Sequence, residues 1–135
     1  MAEAYVSVWI TTLYTVLLGI LMVAMQIPLG RLRSQTGISM FHGDNPELAV
    51  AMRRFGNFTE HVPFLLILMA LVELQGGSPT LLHICGVVLL GSRIAHPIGL
   101  KFDSLQSQLR LVGAAGTLLV AVTLLIAAAL SLRHY

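Results

Sequence analysis

Three stretches of the chain, residues 4–30, 74–92 and 111–132, contain no Asp, Glu, Lys or Arg. At about 1.5 Å of rise per residue, about 20 apolar residues in a helix cross the roughly 30 Å hydrocarbon layer of a bilayer. Each stretch is therefore a candidate membrane span. Composition agrees: the 135 residues are 56% hydrophobic and only 10% charged, where a soluble domain is about a quarter charged. An ordinary soluble enzyme, a disordered tail and a nucleic-acid module are excluded on that ground. A net charge of +2 gives no reason to expect a polyanionic partner. The single cysteine, Cys85, allows neither an internal disulfide nor a cysteine zinc site, and no metal is expected. The length fits one domain over residues 1–135. Glu3 stands where a signal peptide would carry its basic n-region, so the first stretch reads as a span and not as a leader.

A fourth span is masked by its own charges. Only 12 residues separate Glu60 from Glu73, too few to cross alone. Extended back to Glu47, the segment is long enough but takes in Arg53, Arg54, Asn57 and Glu60. It reads as one long helix with an apolar outer half and a polar inner half. Asn45 suits its N-cap, with Pro46 in the first helical position. The expected helices are residues 4–33, 47–75, 79–100 and 104–132. A polar loop over 34–46, a tight Gln75-Gly76-Gly77-Ser78-Pro79 turn and a link near Leu100 to Ser107 join them. Short links between four spans give an all-α, integral-membrane, up-down four-helix bundle. Seven of the eight Lys and Arg residues, all but Arg133, flank the first and third loops. The positive-inside rule places those loops in the cytoplasm and both termini on the opposite side.

Ionisable groups within a span are costly unless paired or hydrated, which makes them functional candidates. Arg53, Asn57 and Glu60 fall within about 60° of arc on one helix face. They form either packing glue satisfied inside the bundle or a ligand site, and spacing alone leaves both open. Arg93 and His96, one turn apart, read in isolation as a snorkelling cation and a capping or packing histidine. Arg31 and Arg33 close the first helix, where cations suit its C-terminal dipole. Arg110 differs, because in the first turn of the fourth helix the dipole disfavours a cation. Positive-inside anchoring or a bound anion would explain it. His83 and Cys85 point apart and form no metal pair. Pro28 and Pro63 are expected to kink their helices, and Gly113, Gly116, Ala121 and Ala128 to permit close helix approach. Pooled, Arg31, Arg53, Asn57, Glu60, Arg93, His96 and Arg110 outline a cationic pocket, polar at its rim and apolar toward the bilayer centre. Such a pocket suits a small acidic water-soluble molecule meeting a lipophilic one from the membrane.

The pattern Glu47-Leu48 … Arg53-x-x-x-Asn57-x-x-Glu60-His61-Val62-Pro63-Phe64 resembles the second-helix signature of the MAPEG family, the membrane-associated proteins in eicosanoid and glutathione metabolism. Gly30-Arg31-Leu32-Arg33 resembles the end of that family's first helix, Gly91-Ser92-Arg93-Ile94-Ala95-His96 the end of its third, and Gln108-Leu109-Arg110-Leu111 the opening of its fourth. The Gly43-Asp44-Asn45-Pro46 loop looks like the bacterial branch, which implies a bacterial inner membrane. The resemblance implies a homotrimer that binds glutathione between subunits on the cytoplasmic side. Arg31, Arg53, Asn57, Glu60, His61, Arg93 and His96 would hold the tripeptide, and Arg110 would match the catalytic arginine that keeps its sulfur as thiolate. Departures are His61 where several members carry tyrosine, Leu100 where a tyrosine often contacts glutathione, and a different length between His96 and Arg110. The expected function is a membrane glutathione transferase, with glutathione peroxidase activity included, acting on lipophilic small molecules. Glutathione would be its co-substrate, and membrane lipids its surroundings. The alternatives are a non-catalytic lipid- or ligand-binding protein on the same scaffold, and a structural bundle whose polar residues pair internally.

Overall fold

The computed structural model describes residues 7–102 and 107–132. Four helices follow one another: α1 (Trp9–Thr36), α2 (Pro46–Leu74), α3 (Pro79–Gly99) and α4 (Gln108–Ser131). All four are long and apolar enough to cross a membrane. At about 1.5 Å per residue, even α3 spans about 30 Å, and α1 and α2 project well beyond the hydrocarbon layer. That extra length is what allows the first half of α2 to carry charge. The expected starts of the first and fourth helices, near residues 4 and 104, and Arg133 lie outside the described residues.

Local signals set the helix ends. Asn45 caps α2 by accepting the Leu48 N–H at 2.9 Å, and Pro46 occupies the first turn, where its missing N–H has no role. Gly37 ends α1 in the left-handed conformation at φ 68°, donating its N–H to Arg33 O at 3.0 Å. The α2–α3 turn closes through Gly76, at φ 76°, and the Gly77 N–H on Val72 O. α1 runs three residues past the expected end at Arg33, because the Thr36 hydroxyl and the Gly37 cap satisfy the last carbonyls.

The bundle is an up-down arrangement of antiparallel neighbours, with α3 and α4 the most closely packed pair. Ile10, Tyr14, Leu18, Phe58, Leu65, Met69, Leu82, Leu89 and Leu124 fill its centre, and Cys85 packs among them. Large apolar side chains such as Ile20, Ile67, Val87, Leu118 and Ile126 face outward. An outer surface this apolar is stable in lipid or against another subunit, not in water. At the end of the bundle opposite the two basic loops, the Glu73 carboxylate accepts the N–H groups of Ile10 and Thr11 at 2.9 and 2.8 Å. A carboxylate from α2 thus caps the N-terminus of α1 in place of a residue of its own helix.

Candidate functional site

The close packing of α3 on α4 rests on two glycines. A Cβ built on Gly113 would lie 2.7 Å from His96 Cβ and 2.8 Å from Ser92 O, and one on Gly116 would collide with the Ser92 hydroxyl. With no side chain on α4 there, the α3 backbone comes close enough for Arg93 to reach across. Arg93 is 2% exposed. Its guanidinium donates to Asn57 Oδ1 of α2 at 3.0 Å, to Gly113 O of α4 at 3.3 Å and to the Thr117 hydroxyl, which in turn donates to Gly113 O at 2.8 Å. One arginine thus ties three helices together.

No carboxylate is among those partners, and the buried Arg93 Nε has no hydrogen-bond partner among the described residues. A full positive charge sits in the bundle solvated by neutral dipoles alone, an arrangement that favours an anion nearby. A cavity of about 240 Å³ adjoins it, lined by Asn57, Glu60, His61, Phe64, Arg93 and His96, with Ala114, Thr117, Leu118 and Ala121 of α4 on the far wall. Charged and polar groups occupy the end nearer the basic loops, and Phe64, Leu118 and Ala121 the end toward the bilayer centre.

Glu60 forms an ion pair with Arg53 at 3.1 Å, two turns back on the same helix, with both side chains more than half exposed. Such a pair adds little stability, and either partner is free to exchange it for a ligand group. His61 donates from Nδ1 to Asn57 O at 2.9 Å, since a carbonyl can only accept. In the neutral ring this assigns Nε2 as an acceptor.

The single pocket expected from the sequence is divided in the structure. Asn57, Glu60, His61, Arg93 and His96 share the cavity just described. Arg53 and Arg110 line a second one of about 190 Å³ together with Lys101, Leu100 and Phe102. Arg110 falls there because α4 begins at Gln108, which places it in the first turn, where the Arg110 N–H backbone is packed against Gly99. The Arg53–Glu60 pair bridges the two spaces. Arg31 is exposed near the end of α1 and lines none of the described cavities, because α1 packs on α2 and α3 and not on the α4 side of the crevice. Sequence reasoning missed Thr117, whose hydroxyl in an apolar helix carries no mark of its partners, and Ser92, whose hydroxyl packs against Gly116. It also missed Arg54, which donates to Leu100 O at 2.8 Å and anchors the third loop.

Comparison with known proteins identifies the family. The family model described as MAPEG family matches residues 11–130. The chain is 36% identical over 90 residues to inner membrane protein YecN of Escherichia coli strain K12, covering 67% of this chain and 69% of that one, and equally to the protein of that name in E. coli O6:H1. No solved structure gives a significant match. The family match takes in all of the α2 signature, both ends of the crevice and the Arg110 turn, and with the relatives' identity it establishes that this integral membrane protein belongs to the MAPEG family.

Proposed function

We propose that the protein is a membrane-bound glutathione transferase whose tripeptide site is the crevice between α2, α3 and α4. The carrying observation is Arg93: a buried guanidinium with no carboxylate partner and an unpartnered Nε, at the wall of a cavity that also holds Glu60 and His61. Glutathione brings two carboxylates, an ammonium and a thiol. One carboxylate lies against Arg93 and His96, the ammonium takes Glu60, and the released Arg53 takes the second carboxylate. The Arg53–Glu60 pair is exchanged for ligand contacts at little cost, because it is solvent-exposed.

A free thiol, with a pKa of about 8.5, is only a few per cent thiolate at pH 7. A guanidinium beside the sulfur in a poorly hydrated site favours the charged form. Arg110 fills that role, reached once the Arg53–Glu60 pair between the two cavities has opened, and His61 Nε2 is an acceptor for the thiol proton. The thiolate attacks an electrophilic carbon entering from the apolar end of the crevice; the S–C bond forms as the leaving group departs with its electron pair. Attack of the same thiolate on a hydroperoxide oxygen breaks the O–O bond, releases the alcohol and leaves a sulfenic acid, which a second glutathione converts to the disulfide and water, completing the peroxidase reaction. In a homotrimer, a neighbouring subunit supplies Arg31, which lines none of the cavities described above. The basic loops face the cytoplasm of a bacterium, with the chain in the inner membrane.

A second reading has its own support. Arg110 and the Arg93 crevice open into different cavities, which fits a non-catalytic ligand-binding member of the scaffold. Protein purified in detergent, mixed with glutathione and a chlorinated nitrobenzene, separates the two. Turnover above background that falls in Arg110→Ala supports the transferase. Glutathione binding without turnover and without thiolate absorbance near neutral pH supports the binding protein. No binding leaves a structural bundle, and binding unchanged in Arg53→Ala and Glu60→Ala removes those residues from the site.

A further inference from the structure

Among the described residues, a further and roomier cavity lies apart from the crevice. It lies on the other side of α2, enclosed by α1, α2 and α3, and measures about 510 Å³, within the range of about 300–1,000 Å³ typical of small-molecule sites. All of its lining comes from the ends of the helices nearest the basic loops: residues 24–32 of α1, 46–54 of α2 and 97–98 of α3, with Phe102 of the third loop. The cavity therefore sits at one boundary of the membrane, where lipid headgroups meet the hydrocarbon.

Its chemistry has two parts. Met25, Leu32 and Ile98 contribute to an apolar wall, and Ile98 is 58% exposed, which opens that wall sideways toward the lipid. Two charged residues stand among them, Arg54 and Glu47. Arg54 gives one guanidinium nitrogen to Leu100 O, while its buried Nε has no hydrogen-bond partner among the described residues. A buried donor left unmade is costly, so the site favours an acceptor. Glu47 lies two turns from Arg54 on the same helix, in the first turn of α2. A purely anionic guest would meet this carboxylate unfavourably, and a purely cationic one would meet Arg54. A guest carrying both charges satisfies both.

We propose that this cavity seats a zwitterionic aminophospholipid of the surrounding leaflet, with its phosphate at Arg54, its ammonium at Glu47 and an acyl chain along the Met25, Leu32 and Ile98 wall. The site is separate from the glutathione crevice and stands or falls independently of it.

The test uses full-length protein stripped of lipid in dodecyl maltoside. Native mass spectrometry and thermal unfolding are followed as phosphatidylethanolamine, phosphatidylcholine or phosphatidylglycerol is added. Phosphatidylethanolamine binds tightest and raises Tm most. Glu47→Gln removes its advantage over phosphatidylcholine, whose quaternary ammonium donates no hydrogen bond. Arg54→Gln weakens all three by about tenfold or more, the effect of one charge-assisted hydrogen bond. Ala51→Leu, which fills the cavity without touching the Arg54–Leu100 contact, abolishes the response and keeps the proposal testable should Arg54→Gln misfold. Equal responses to the three headgroups, or a response that survives Ala51→Leu, overturn the proposal. So does stabilisation that follows protein concentration instead of lipid, which would assign the cavity to contact between copies.

Discussion

Replacing Arg93 by methionine separates stability from binding. The substitution keeps an unbranched side chain and deletes the guanidinium. Lost with it are hydrogen bonds to Asn57, Gly113 O and Thr117. Interhelical bonds within membranes average about 0.6 kcal/mol each, so the loss comes to about 2 kcal/mol. Against this, an arginine at the centre of a span costs about 2.5–3.5 kcal/mol on insertion scales, and less at Arg93, nearer the end of α3; Arg93→Met removes that burden. Thr117 still donates to Gly113 O, leaving Asn57 Oδ1 as the chief orphan. The two terms cancel to within about 1 kcal/mol, so the variant should be as stable as the parent or slightly more so. Binding has no such compensation, because deleting a charge-assisted contact to a carboxylate costs about 1.5–3 kcal/mol, a tenfold to hundredfold loss of glutathione affinity. Thermal unfolding in detergent followed by circular dichroism, with isothermal titration of glutathione on the same preparations, reads both quantities. A variant destabilised by several kcal/mol yet binding glutathione normally would refute the reasoning and make Arg93 a purely structural clasp.

Three further outcomes are expected. Gly113→Ala sets a methyl against His96 and Ser92 of α3 and should cost about 1–3 kcal/mol of overpacking, whereas Gly30→Ala, with open space around its Cα, should be neutral or stabilising by up to about 1 kcal/mol; paired unfolding curves distinguish them. Glu73→Gln removes the charged cap from the Ile10 and Thr11 N–H groups and should lower stability by about 1 kcal/mol, with faster amide exchange confined to the first turn of α1. Glu60→Gln should change stability by less than about 1 kcal/mol, because its ion pair with Arg53 is exposed, while weakening glutathione clearly in the same titration; an unchanged affinity there would remove Glu60 from the site.

The architecture was legible where a single physical rule governs it. Uncharged runs mark spans because hydrocarbon excludes charge, and Asn45 followed by Pro46 marks the start of α2 because both residues solve the same capping problem. The polar face of α2 was also readable, but its dual character was not. Asn57 is tied to Arg93, and Arg53 to Glu60, so the packing contacts fall on the same residues as the proposed ligand site. Partners across helices were illegible, since Thr117, Ser92 and Leu100 acquire their roles only once α3, α4 and the third loop are laid side by side. The division of Arg110 from the Arg93 crevice was hidden for the same reason: it depends on where the link after Leu100 delivers the first turn of α4, which no local signal encodes.

The glycine seam between α3 and α4 leaves those two helices no slack. A guest entering the crevice therefore presses against one unyielding wall, while the opposite wall, α2, meets it through side-chain packing and the Arg93 contact to Asn57. Whatever adjustment the cleft makes to molecules of different girth must come from sliding or tilting of α2, so changes in selectivity along this lineage should accumulate on α2 and spare the seam.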